Sequence, residues 1–259
     1  MDLNSWISAT HERIQLAIYE SYLNGGLGGW QENTISTAVL KAIGGSGAVS
    51  WSDCAQKVRW EAFKLNGVAE TEFGDIALLV KVCLSPTDWV DGVAFYEAKR
   101  QYFNPAWKPL GFQSLDSHQL SRIGIATHAG HALLYDANPE QEIISATAVP
   151  NALARPLVDI IGKGKAAGER LSKFGRPWVI VLANNLRGFE LDFDPAVVSA
   201  MKQWMASNQP PAFIINAAVS SAPLTLRLDS FPSKLRGFSR VPDDRVPPPP
   251  GGSTPPFRP

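Results

Sequence analysis

The apolar and polar positions of this chain change period several times, and each change marks an element. Over residues 5–22, SWISATHERIQLAIYESY, the positions Ile7, Ile14, Ala17, Ile18 and Tyr22 recur at helical spacing, and the glycine cluster NGGLGG ends the run. QENTISTAVLKAI predicts a second helix with Ile35, Val39, Ala42 and Ile43 as its stripe, Glu32 at its start and GGSG at 44–47 as its terminator. The period then shortens. AQKVRWEAFKLNG, FGDIALLVKVCL and DGVAFYEAKR read as three strands, with NGVAETE and SPTDWVDG supplying the turns. SLDSHQLSRIG predicts a short helix with Ser or Asp at its cap, HALLYD a strand, PLVDIIGKGKAAGERLSKFG a helix, and RPWVIVLANN a buried strand. DPAVVSAMKQWMASN predicts a helix capped by Asp194 with Pro195 in its first position, and AFIINAAV a last strand. This order predicts an α/β fold, a mixed β-sheet flanked by helices, in a single domain over residues 1–240. The stretch VPDDRVPPPPGGSTPPFRP, 241–259, is too rich in proline to pack a core. It is expected to be an extended or disordered tail with the composition of a polyproline ligand.

Composition narrows the picture without deciding function. With 259 residues, 45% of them hydrophobic, the chain can fill a substantial core. Its longest apolar runs, IALLV and WVIVLA, fall far short of the roughly 20 residues that span a bilayer. MDLNSWISATHERIQ is acidic and polar where a signal peptide is basic and then apolar, so the expectation is a cytoplasmic protein with no membrane partner. Cys54 and Cys83 form no CxxC pair and read as core thiols rather than a disulfide framework or a zinc site. The 24 Lys and Arg balance the 24 Asp and Glu, so any affinity for nucleic acid has to come from a local concentration of cations on one face.

Within GVAFYEAKR, alternation puts Glu97 and Lys99 on the strand face shared with Val93 and Phe95, while Tyr96 and Ala98 point the other way. An E-x-K taken alone is most often a solvated edge. Here Asp75 stands early in the preceding strand, in GDI, Glu32 opens an earlier helix, in WQENTI, and Gln119 lies in the following helix, in SHQLSRI. In this order the residues resemble the PD-(D/E)xK nuclease superfamily, over about residues 11–136. No proline precedes Asp75; Gly74 stands there, and Gln113 in GFQSLD competes with Gln119.

The resemblance implies a restriction-endonuclease-like core to which the C-terminal half adds further α/β elements. It also implies a metal-dependent endonuclease acting on nucleic acid, with DNA the expected substrate, in a setting of bacterial restriction or phage defence. Cleaving a phosphodiester requires charge stabilisation on a crowded anion and a more acidic attacking water, and a hard cation provides both. Mg²⁺ or Mn²⁺ would be held by Asp75, Glu97, the backbone carbonyl of Ala98 and Glu32, the last directly or through water. Lys99 would orient the nucleophile and offset developing charge, and Gln119 would position Lys99 or the substrate backbone. A homodimer or a partner subunit is compatible with this reading. Two alternatives stand beside it: a non-catalytic nucleic-acid-binding or scaffolding subunit that keeps the sheet, and a nuclease specific for RNA.

Other signals are weaker. Glu32 also reads as favourable charge at a helix N-terminus, and Gln119 as a surface residue. Glu70 and Glu72 are competing carboxylates that read as solvated turn residues. His128 and His131 in HAGH have a spacing open to zinc, with His131 also the start of a strand. GKGKAAGER lacks GxxxxGK[ST], so a nucleotide loop is poorly supported. Lys163, Lys165, Arg170, Arg100, Arg122 and Lys173 either line a groove for a nucleic-acid backbone or form a solvated face. Trp89, Tyr102 and Trp107 are expected near the site, as stacking platforms, core or lid.

Overall fold

The computed structural model describes residues 1–66, 75–138, 143–161, 171–221 and 225–242. Helix α1 (Leu3–Leu23) starts where the Asp2 carboxylate accepts from the Ser5 amide at 2.8 Å, and it buries Trp6, Ile14 and Ile18. Helix α2 (Glu32–Ala42) buries Ile35, Val39 and Leu40. Strands β1 (Ser46–Trp51), β2 (Gln56–Leu65), β3 (Ile76–Cys83) and β4 (Trp89–Arg100) follow. A two-stranded ribbon of β5 (Tyr102–Phe103) and β6 (Pro109–Gly111) then leads to helix α3 (Ser117–Ala126), capped by Asp116. The remaining elements are β7 (Gly130–Asn138), β8 (Ile143–Pro150), α4 (Asn151–Ile161), β9 (Arg176–Pro177), α5 (Trp178–Leu186), α6 (Pro195–Met205), β10 (Phe213–Ser220) and β11 (Phe238–Arg240).

The main sheet runs β1-β2-β10-β3-β4-β7-β8-β9, with β11 pairing beside β2. It is mixed, because β10 runs parallel to β3 and β4 parallel to β7 while the other pairs are antiparallel. One face packs α1, α2 and α5 over Leu78, Val80, Ala94, Tyr96, Leu133 and Ile215. The opposite face carries two separate apolar patches. Val198, Met201 and Met205 of α6 cover Ala77, Leu79, Val93 and Phe95, while Leu120, Ala154 and Val158 of α3 and α4 cover Ala132, Leu134 and Val149. The seam between these patches falls at the C-terminal end of β4.

Several sequence expectations need correction. RPWVIVLANN is not a strand: only Arg176 and Pro177 pair with β8, and Trp178 onward is α5. An apolar run this short carries no period of its own, and burial of Trp178, Val179, Val181, Leu182 and Leu186 against α1 and the sheet overrides the β preference of its valines. The helix expected over 156–175 instead starts at Asn151 and has Pro156 inside it; residues 162–170 lie outside the described ones. Strands β1 and β8, like the short β5, β6 and β11, carry no clear alternation in the sequence. In β1, Gly47 is required because a Cβ there would stand 2.2 Å from the Trp60 ring. Cys54 and Cys83 are free thiols, half-buried rather than fully so, with Cys54 packed against the main core. The proline-rich stretch lies outside the described residues from 243 on. Among the described residues, no helix is long and apolar enough to cross a membrane.

Because β10 is inserted between β2 and β3, the two halves of the chain share one sheet. Truncating its fully buried Ile215 to alanine is expected to cost about 2–5 kcal/mol. Urea unfolding followed by tryptophan fluorescence and by far-UV circular dichroism should then shift as one coincident transition; separated transitions would contradict a shared core.

Candidate active site

Strand β4 changes character along one face. Val93 and Phe95 belong to the patch under α6, and the next two residues on that side are Glu97 and Lys99, opposite Ala132 and Leu134 of β7. Both are deeply buried, Glu97 3% and Lys99 5% exposed, so the solvated-edge reading of this E-x-K does not hold. Their positions follow from the seam: the two helix-covered patches leave a gap, and the charged pair fills it.

Asp75 sits just before β3 and continues its ladder. Its amide donates to the Tyr96 carbonyl at 3.0 Å and its carbonyl accepts from the Phe213 amide at 2.8 Å. The antiparallel register, Ile76 opposite Tyr96, extends to place Asp75 opposite Glu97, and alternation puts it on the same face as Ala77 and Leu79. Its Oδ2 accepts from the Ala98 amide at 2.8 Å. The N–H and C=O of a strand residue point to the same edge, so the Ala98 carbonyl also turns toward Asp75.

Lys99 organises the cluster. Its Nζ donates to Glu97 Oε1 at 2.6 Å and lies 3.8 Å from Glu32 Oε2. Glu32 comes from the first turn of α2, on the other side of the sheet, and reaches round the end of β4. Its Oε1 accepts from the Ser114 hydroxyl at 3.0 Å and lies 3.5 Å from the Arg100 amide. Ser114 is a tether that sequence reasoning missed, since a serine ahead of a helix gives no sign of a partner 82 positions away.

Three carboxylates surround one ammonium group, and the crowding shows at Asp75. Burial, followed by repulsion from Glu97, pushes the Asp75 carboxyl up to about 7, against the opposing pull of Lys99 and with Glu32 adding to the rise. Burial alone would lower the Lys99 pKa, but Glu97, Asp75 and Glu32 outweigh it and hold the amine raised and charged. The cluster therefore has more negative charge than its own cation neutralises.

Of the residues singled out in the sequence, Glu32, Asp75, Glu97 and Lys99 converge, and Ala98 joins through its backbone. Gln119 does not: it is half-buried on α3 and makes no hydrogen bond with the others among the described residues, and Gln113 is exposed. A helix position fixes a side chain's face but not its reach. Glu70, Glu72, Lys163, Lys165 and Arg170 lie outside the described residues. His128 and His131 separate. The exposed His128 pairs with Asp192 at 3.0 Å, while His131, in β7, stacks on Tyr96 in the core, and burial lowers its pKa to about 4. Trp89 starts β4, some eight residues or about 26 Å of strand from Glu97, so it is not near the site. Tyr102 carries the Arg100 guanidinium at 4.2 Å, and Trp107 packs on Tyr22 and Phe103. Among the described residues, no group of three or more His, Cys, Asp or Glu side chains is already set to hold a metal ion. The Lys99 amine stands between Glu97 and Glu32. Comparison of the chain with family models, with curated proteins and with solved structures gave no match.

The raised Asp75 pKa has a signed consequence for stability. The folded protein holds a proton that the unfolded chain releases near pH 4, so stability attributable to this group falls as pH rises from about 4 to about 7. Asp75→Asn keeps an acceptor for the Ala98 amide and removes the charge. In EDTA, its melting temperature should exceed that of the wild type by at least about 2–4 °C at pH 8, corresponding to about 1 kcal/mol, and by much less at pH 4.5. An equal difference at both pH values would refute the charge imbalance.

Proposed function

We propose that this protein is a metal-dependent phosphodiesterase of the PD-(D/E)xK type that cuts DNA. The observation that carries the reading is the convergence of Asp75, Glu97 and Glu32 on a buried Lys99, where the two apolar patches of this sheet face meet. Burying several charges together costs stability, and such arrangements concentrate where chemistry needs them.

The residues fit a hard divalent cation. All the donors are oxygens, and a dication would stabilise the ionised Asp75 carboxylate, which burial first and the neighbouring Glu97 second disfavour. Asp75, Glu97, Glu32 and the Ala98 carbonyl would hold Mg²⁺ or Mn²⁺. Bound there, the ion supplies positive charge at the phosphate oxygens and a more acidic water. Everything else falls to the protein. Glu97 uses Oε1 for Lys99 and keeps its second oxygen for the cation. Lys99, held charged by its neighbours, offers its remaining N–H donors to the attacking oxygen or to the phosphate, where negative charge accumulates. Ser114 fixes the Glu32 carboxylate, so the only ligand from the far side of the sheet arrives already oriented.

Supercoiled plasmid incubated with the purified protein and Mg²⁺ or Mn²⁺ should be nicked or linearised, and EDTA should abolish cutting. Lys99→Ala should cut at least about 100-fold more slowly. Because that substitution leaves Glu97 buried without its cation, Asp75→Asn serves as the second variant: it should be folded, at least as stable as wild type in EDTA, and equally inactive. Cutting that survives EDTA, or that both variants retain, overturns the assignment. Cutting of RNA alone overturns the choice of DNA.

A further inference from the structure

The face that carries Glu97 and Lys99 does not end with them. The next residue on that side of β4 is Gln101, whose amide donates to the Tyr135 carbonyl at 2.9 Å and so keeps the strand in register with β7. Beside it on the same face come Asp136 and Asn138 of β7, then Ser145 and Thr147 of β8, in the register Asp136 with Ser145 and Leu134 with Thr147. A face that begins apolar under α6 becomes charged at the site and then polar beyond it, with Asp136 the one carboxylate among amides and hydroxyls there. These side chains, with Pro109, Ile143 and Lys173, line a cavity of about 230 Å³.

The Gln101 side chain is the telling member. It is 2% exposed, and among the described residues its Oε1 is buried with no hydrogen-bond partner. An unpaired buried amide costs about 1–3 kcal/mol, and apolar side chains would have filled this position more cheaply. Asn138 and Thr147, both almost fully buried, line the same cavity, and the Thr147 hydroxyl donates to Ser145 at 3.4 Å. A buried amide oxygen left unpaired at such a cost, in a cavity with room, implies a polar ligand.

We propose that this cavity receives one nucleoside unit of the strand being cut, next to the scissile phosphate. The inference rests on the nuclease reading for where that strand lies. Gln101 follows Lys99 by two residues, about 6.6 Å along the strand, so a nucleotide adjacent to a phosphate at Lys99 reaches the cavity without a gap. Amides and hydroxyls provide the mixed donors and acceptors that base edges require, Pro109 and Ile143 offer apolar surface for a base face, and the exposed Lys173 stands at hand for a backbone phosphate. A base inside the cavity would give its edges to these side chains instead of to a pairing partner, so the bound nucleotide is unpaired, either in a single strand or turned out of a duplex. A free mononucleotide shares this chemistry, and the test separates the two sources.

Binding is measured in EDTA, so that nothing is cut, by fluorescence anisotropy with a labelled single-stranded DNA and with the same strand carrying an abasic site at each position in turn. Free mononucleotides are titrated by calorimetry. Wild type should lose about tenfold in affinity when one particular base is missing. Gln101→Leu and Thr147→Val should lose about as much on the intact strand, and little more on that abasic strand, because base and side chain are partners. Melting temperature guards the interpretation. Removing an unpaired amide should leave Gln101→Leu at least as stable as wild type, whereas a merely structural glutamine would lower stability and spare binding. The proposal is overturned if both variants bind the intact strand as wild type does, or if no abasic position matters; plasmid cutting that persists in that case leaves the nuclease standing. Mononucleotide binding that Gln101→Leu abolishes, with no strand binding at all, supports the cavity as a nucleotide site while contradicting the nuclease. Binding of neither probe overturns the cavity proposal.

Discussion

The 2.6 Å contact between Lys99 and Glu97 is the constraint around which this sheet face is organised. Two opposite charges withdrawn from water survive only when their geometry is close and their neighbours complete the electrostatics. The fold meets that condition from three directions: β4 supplies both charges, the end of β3 brings Asp75 alongside, and α2 sends Glu32 round the strand end. None of these carboxylates would hold its place unaided. Removing the ammonium leaves the buried Glu97 beside Asp75 and Glu32 with no cation between them, whereas removing one anion relieves a repulsion, which is why Lys99 and Asp75 substitutions should act in opposite directions on stability.

The stability to carry such a cluster comes from the rest of the sheet. One face is covered continuously by α1, α2 and α5, with Trp6, Trp51, Trp60 and Trp178 among its fillers. The opposite face is covered in two pieces; the charged cluster lies where they meet, and the polar cavity lies past the second, beyond Leu134 of β7. Both features stand on strands backed by the covered face behind them.

The row Phe95, Glu97, Lys99, Gln101 condenses this arrangement. Successive positions on one side of a single strand pass from the apolar core to a buried ion pair and then to a polar cavity. A pleated strand holds such neighbours at fixed spacing, so the distance between the charged cluster and the cavity is a property of the backbone.

Much of the site was legible in the sequence because it depends on alternation. Glu97 and Lys99 two apart in an apolar strand had to share a face, and Asp75 in the preceding strand had to approach them if the two paired in the expected register. The cap of α6 was legible because capping is local: Asp194 accepts from an amide two residues on, and at α3 the choice between Ser and Asp falls to Asp116 in the same way. What local pattern does not encode stayed hidden. WVIVLA is equally apolar as strand or helix, and its packing against α1 and the sheet decided for helix. Gln119 lay on a helix as expected, yet its side chain joins nothing at the site. Ser114 holding Glu32, β10 slipping between β2 and β3, and Gln101 lining a cavity with residues of β7 and β8 all join positions far apart along the chain. The sequence by itself determined which residues share a strand face or a helix turn, because backbone periodicity fixes those relations over a few residues. Only the tertiary structure decided which faces meet and which gap stays open, because those depend on how whole helices and strands pack.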